Sequence, residues 1–138
     1  MSNVPGESVK VRDVMHRGVI TCKPETLLKE VVRILCDSGV HALIVARSGT
    51  QVEGVISHVD VIKMYGKNLL EYKAEDVMTP LVHDVSPDDP IERAIELLLK
   101  HRVHRLLVTE QRSEGKVAVG VISTTDIIHH MRGQPWYW

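Results

Sequence analysis

Apolar and polar positions along this chain follow two rhythms, and the same succession of rhythms runs twice. Short apolar runs at 18–22 and 81–85 have the length of strands. A helical spacing follows each. In the first stretch Thr26 is placed to cap a helix, and Leu27, Leu28, Val31, Val32, Ile34 and Leu35 recur on one face until Gly39 ends it. In the second, Asp89 caps, Pro90 takes the first helical position, and Ile91, Ala94, Ile95, Leu97 and Leu98 follow. Two β-like runs come next, 42–46 with 52–57 and 106–109 with 116–123, separated by polar residues suited to hairpins. A shorter helix closes each stretch, at 59–65 and 125–131. The predicted order is β-α-β-β-α, twice.

The two stretches are copies. Met15 matches Met78 and His41 matches His104, both at an offset of 63, whereas Ser57 matches Ser123 at 66. The step falls in the hairpin turn, where an insertion is tolerated because little packs on it. The expected organisation is a tail over 1–9, copy one over 10–66, a link over 67–74, copy two over 75–132 and a second tail over 133–138. That last tail holds Trp136, Tyr137 and Trp138, three of the five aromatic residues in the chain. An exposed triple aromatic is an apolar patch suited to a neighbouring copy or partner, and a frayed terminus is the competing expectation.

Charge and composition narrow the function classes. Seventeen basic residues stand against 18 acidic ones, for a net charge of −1. That balance argues against a duplex nucleic-acid binder, whose affinity comes from neutralised phosphates. No apolar run approaches the ~18 residues of a membrane helix, and the first residues carry no apolar signal region. Two cysteines give no disulfide framework, which fits a reducing cytoplasm. Cys36 falls at an apolar helical position and is expected to be buried and inert.

Two polar positions interrupt the apolar pattern at the same place in both copies. GVISHVDVI (54–62) and GVISTTDII (120–128) each run a strand into a helix through a serine, with an aspartate three residues on. Ser-x-x-Asp is a capping box, in which the hydroxyl caps the helix and the acid reaches back. The same helix start favours a phosphate, and a carboxylate there can accept both hydroxyls of a ribose. Spacing alone leaves capping and ribose binding open, separately or together.

No catalytic set stands out. Ser123, Asp126, His129 and His130 crowd one short stretch without a G-x-S-x-G turn, and one helical turn does not supply triad geometry. There is no Walker loop and no G-x-G-x-x-G. His101-x-x-His104 and His129-His130 lack the cysteine or acidic partners of a zinc site. No enzyme activity and no resident metal are expected.

In order and in duplicate, three segments carry a family resemblance. They are VRDVM (11–15) with AEDVM (74–78), VHAL (40–43) with VHRL (103–106), and the two GVIS-x-x-D segments. Over roughly residues 10–132 the chain resembles a tandem of CBS (cystathionine β-synthase) domains, a Bateman module. The resemblance implies an α+β fold in which two β-α-β-β-α repeats pack sheet to sheet about a pseudo-twofold axis, with ligand clefts between them. It implies an adenosine-containing ligand: AMP, ADP or ATP ahead of S-adenosylmethionine or NAD(H). No cofactor is required, and magnesium would arrive only with bound nucleotide.

The same resemblance distributes roles. Ser57, Asp60, Ser123 and Asp126 would take the ribose, with serine standing where the family more often has threonine. His104 and Arg105 would face phosphates, a task that suits the planar guanidinium. His41 matches His104, but Ala42 stands in place of Arg105, so the two sites are expected to be unequal. Ile20, Thr21, His83 and Asp84 match first-strand positions that line the adenine pocket, with Asp84 expected near adenine or in solvent. His58, Thr124 and Thr125 lie at the helix starts, within reach of phosphate. The implied whole is a cytoplasmic, homodimeric regulatory module that signals to a protein partner, with no nucleic acid and no membrane. The rival reading is an interaction module that holds a dimer together and binds no nucleotide.

Overall fold

The computed structural model describes residues 9–40, 42–47, 51–80, 83–113 and 115–133. Among them the fold is mixed α+β, with six helices and seven strands. The order is α1 (Val11–Val14), β1 (His16–Arg17), β2 (Thr21–Cys22), α2 (Leu28–Ser38), β3 (Ala42–Arg47), β4 (Gln51–Ser57), α3 (His58–Ile62), α4 (Ala74–Val77), β5 (Asp84–Val85), α5 (Ile91–His101), β6 (Arg105–Arg112), β7 (Gly115–Ser123) and α6 (Thr124–Arg132). The expected α+β class and the longer elements are present. His41, the turn at 48–50 and the aromatic residues 136–138 lie outside the described residues.

Two compact units form, and neither is a sequence copy. One comprises Val19–Val82 with Gln111–Ala118; the other comprises Met1–Gly18, His83–Glu110 and Val119–Trp138. The leading segment of each copy therefore folds with the other copy. In the first unit β2 runs parallel to β3, and β3 runs antiparallel to β4 with Ala42 opposite Ser57. Leu28, Val31 and Leu35 of α2 pack on Leu43, Val45 and Ile56 of the strands, and Ala74 of α4 completes that core. In the second unit β1 lies antiparallel to β7, and β5 parallel to β6. Ala94, Leu97 and Leu98 of α5 join Leu106, Val108 and Ile122 there, and the leading segment supplies Val11 and Met15.

The expected helix caps need correction. Thr26 does not cap α2: its hydroxyl accepts from the Lys23 amide at 3.1 Å. The first amides of α2 are met instead by backbone carbonyls, Leu28 N–H to Tyr72 at 2.8 Å and Lys29 N–H to Leu69 at 3.2 Å. The counterpart in α5 is the Ile91 amide, which donates to the Val9 carbonyl at 2.9 Å. Pro90 is itself the residue before the first turn, and the Asp89 carboxylate accepts from the Ser86 amide at 2.9 Å. Orphan amides at a helix start need an acceptor, and a neighbouring backbone serves as well as a side chain. The stretch read as a link thus hydrogen-bonds to the start of α2.

Gly39 ends α2 as expected, in the left-handed region at φ 71°, and Arg102 holds the matching place after α5 at φ 54°. Among the described residues the first-strand runs hold two strand residues each, in β2 and β5, and α3 stops at Ile62 before a series of turns. Cys36 is exposed rather than buried, and Cys22 is the buried cysteine. The apolar stripe of α2 is wider than the face its core occupies, so Cys36 falls on an uncovered flank.

Candidate functional site

Each GVIS strand is glycine-led because another backbone segment crosses close to it. A Cβ on Gly120 would run into the His16 carbonyl oxygen, where β1 pairs with β7. A Cβ on Gly54 would meet the Met78 sulfur at 2.7 Å and the Thr79 carbonyl oxygen at 3.0 Å. Thr79 pairs with Val55 through two backbone hydrogen bonds of 2.9 Å, as His16 lies opposite Val121. His16 and Thr79 are equivalent positions of the two copies. Each directly follows the methionine of its leading segment, and the glycine lets each settle beside a repeated aspartate.

The serine–aspartate pairs are reciprocal caps in both units. The Ser57 amide donates to Asp60 Oδ2 at 2.8 Å, and the Asp60 amide to Ser57 Oγ at 3.3 Å. The Ser123 amide donates to Asp126 Oδ2 at 2.8 Å, and the Asp126 amide to Ser123 Oγ at 3.2 Å. Capping therefore engages one oxygen of each carboxylate. The other oxygen also has a partner. Thr79 Oγ1 donates to Asp60 Oδ1 at 3.0 Å, and His16 Nδ1 lies 2.7 Å from Asp126 Oδ1. The Asp126 side chain is only 4% exposed, while that of His16 above it is 80% exposed. His16 and Thr79 escaped the sequence reading; their matched place after the repeated methionines was the available signal.

In the second unit, His104 and Arg105 are exposed at the start of β6. The His104 carbonyl accepts from the Thr124 amide at 2.9 Å, which joins this corner to the start of α6. Thr124 is half-buried and Thr125 exposed. His83 stacks on His101, with ring centres 3.5 Å apart and planes 15° from parallel. Desolvation, then the charges of His83 and Lys100, lower the His101 pKa. Asp84 is partly buried and accepts from Thr109 Oγ1 at 2.6 Å, so one of its oxygens is met within the chain. A cavity of about 310 Å³ beside Asp126 is also lined by Asp13, Val14, His16, His129 and His130.

In the first unit, Ala42 stands opposite Ser57 and gives Arg105 no charged counterpart. His58 is exposed, with its Nε2 3.2 Å from the Val40 carbonyl oxygen. Ile20 and Thr21 are exposed: the Ile20 carbonyl accepts from the Ile44 amide at 3.0 Å, and Thr21 lies opposite Ile44. Among the described residues, no three His, Cys, Asp or Glu side chains are grouped to hold a metal ion. No described helix is long and apolar enough to cross a membrane.

Similarity to known proteins spans nearly the whole chain. The family model for the CBS domain matches residues 11–67 and 74–133. An uncharacterized protein of Methanopyrus kandleri, MK0525, is 29% identical over 88% of this chain and 62% of its own length. Inosine-5'-monophosphate dehydrogenase of Methanocaldococcus jannaschii is 29% identical over 86% of this chain, but that match spans only 23% of the enzyme. The chain therefore spans less than two thirds of these relatives. The CBS domain pair of protein MJ0100, solved with 5'-methylthioadenosine and S-adenosyl-L-methionine, superposes with a TM-score of 0.77 at 20% identity, over 92% of this chain and 98% of that one. CBSX2, solved with AMP, gives a TM-score of 0.71 at 25% identity, over 89% and 96%.

Proposed function

The chain belongs to the CBS domain family, and on that premise we propose that it is a regulatory module binding an adenosine-containing ligand through its repeated strand-to-helix corners. AMP, ADP or ATP is the preferred ligand, ahead of S-adenosylmethionine or NAD(H), with magnesium only as a companion of bound phosphates. The observation that carries the reading is the duplicated serine–aspartate corner. In the second unit that corner also has His104 and Arg105 beside it, tied in through the Thr124 amide. Asp60 and Asp126 would take ribose hydroxyls. Ser57, Ser123, His58, Thr124 and Thr125 would complete the corners, with Ile20, Thr21, His83 and Asp84 toward the base. His104 and Arg105 serve phosphate, and the neutral Ala42 leaves the second unit the better equipped of the two.

The module works without a catalytic step of its own, in the cytoplasm. Its ligand favours one arrangement of the chain over another, and a protein partner reads the difference. A homodimer fits this reading. Cys36, Ile62 and Tyr65 on one unit, and Leu99, Ile128 and Met131 at matching positions on the other, are all exposed. Calorimetric titration of nucleotide-stripped protein with AMP, ADP, ATP, NADH and S-adenosylmethionine tests the proposal. Micromolar binding of one of them is expected, and silence from all five in folded protein overturns it.

A second reading has its own support. Both oxygens of each repeated carboxylate already have protein partners, one in the cap and one from a leading segment, so no oxygen needs a ligand to satisfy it. On that reading the chain is an interaction module whose exposed apolar positions hold a dimer, and no nucleotide binds.

A further inference from the structure

We infer that His16 and Thr79 are gates on the two carboxylates, and that the histidine is the stronger gate; this rests on the ligand-binding reading above. The capping boxes already fix Oδ2 of Asp60 and Asp126, so Oδ1 is the oxygen left to recognise a ribose hydroxyl. At both corners that oxygen is engaged by the residue following the methionine of a leading segment. A carboxylate oxygen can accept two hydrogen bonds, so a ligand at the partly exposed Asp60 can share Oδ1 with Thr79 or displace it. At Asp126, 4% exposed, it must move His16, and its affinity is reduced by what a displaced contact was worth.

The two gates differ in kind. A threonine hydroxyl 3.0 Å from Asp60 sits on a short side chain, and Asp60 remains partly exposed beside it. The His16 ring covers a carboxylate of which 4% is exposed, and its 2.7 Å contact is made with Nδ1 as the donor, since a carboxylate only accepts. A hydrogen bond to a charge withdrawn from water is the stronger of the two, because less solvent competes for it. His16 is also the movable part. Its side chain is 80% exposed, so it can swing into solvent while β1 stays paired to β7 through the backbone. Asp13, His129 and His130 line the same cavity, so the departing ring leaves among charged and titratable neighbours. The corner with the better phosphate groups, His104 and Arg105, is thus the one held shut. Affinity at the two corners is brought closer together than Arg105 against Ala42 alone would set it.

Two measurements on the full chain separate this gate from the reading beneath it. In ligand-free protein, nitrogen-15 NMR of the imidazoles compares wild type with Asp126→Asn. The expected result is a hydrogen-bonded Nδ1 proton on His16 that disappears in the variant. Identical His16 signals in the two proteins would overturn the gate. Calorimetry with AMP then compares wild type, His16→Ala and Thr79→Ala. His16→Ala should bind about tenfold more tightly, the worth of a hydrogen bond to a charged group, and Thr79→Ala should gain less. Unchanged or weaker AMP binding by His16→Ala sinks the gate while leaving ligand binding intact. If His16 loses its proton signal as expected but no protein binds AMP, ADP, ATP, NADH or S-adenosylmethionine, the ligand reading fails and the gate falls with it.

Discussion

Asp60 and Asp126 each turn one oxygen to the backbone and one to a partner side chain, so charge and capping can be separated by substitution. Asparagine in their place keeps an acceptor for the serine amide and removes the negative charge; alanine removes both. Asp126→Ala is expected to cost roughly 1 kcal/mol or more, the ordinary loss of a cap, whereas Asp126→Asn stays closer to wild type in urea unfolding. AMP affinity, by contrast, should fall in both. Full affinity in the asparagine variant would show that the carboxylate charge takes no part in recognition. The capping role was legible in the sequence because both of its residues lie within one turn. The partners of Oδ1 were not, because they arrive from leading segments distant in the chain. The cysteines make the same point. Cys36 has the spacing of a core residue, yet it is exposed, while burial pushes the Cys22 thiol up to about 11. Iodoacetamide at mildly alkaline pH should therefore modify Cys36 rapidly and Cys22 only as the protein unfolds, as peptide mass mapping would show. Equal rates at both would contradict the buried Cys22.

Among elements, the long ones announced themselves and the short ones did not. The helices α2 and α5 are eleven residues each, enough to display about three turns of apolar spacing. The four residues of α1 or α4 cannot display a period at all, although Asp13 and Asp76 each accept from the amide three residues earlier, at 2.9 and 2.8 Å. Nor can two-residue β1, whose place depends on a partner strand that leaves room for it. Gly120 provides that room, and this gives a prediction about an element rather than a side chain. Gly120→Ala sets a methyl group against the backbone of β1, which cannot yield without breaking its pairing. Gly54→Ala meets the Met78 side chain, which can turn, and the Thr79 carbonyl oxygen at 3.0 Å, a milder backbone clash than the one at Gly120. We expect a loss of about 1–3 kcal/mol in urea unfolding for the first, in the range of overpacked interiors, and a smaller loss for the second. The reverse ranking would mean that β1 is not held against β7 in solution.

At the scale of the whole chain, the duplication visible in the sequence and the units visible in the structure divide the residues differently. Residues 67–138 hold α5, β6, β7 and α6 but lack Val11, which is fully buried, and Met15 and β1. Residues 1–66 hold α2, β3 and β4 but lack Ala74, also fully buried, and the backbone carbonyls that meet the first amides of α2. Each half is about 70 residues, a size at which burial is already marginal, and each is missing part of its own core. Expressed alone, neither half should show a cooperative thermal transition by circular dichroism. Mixed in equal amounts, the two should regain one, because each then supplies the other's leading segment. If either half melts cooperatively alone, near the temperature of the intact chain, then the exchanged segments are dispensable, and the repeated V-x-D-V-M stretches must be kept for some purpose other than the two cores.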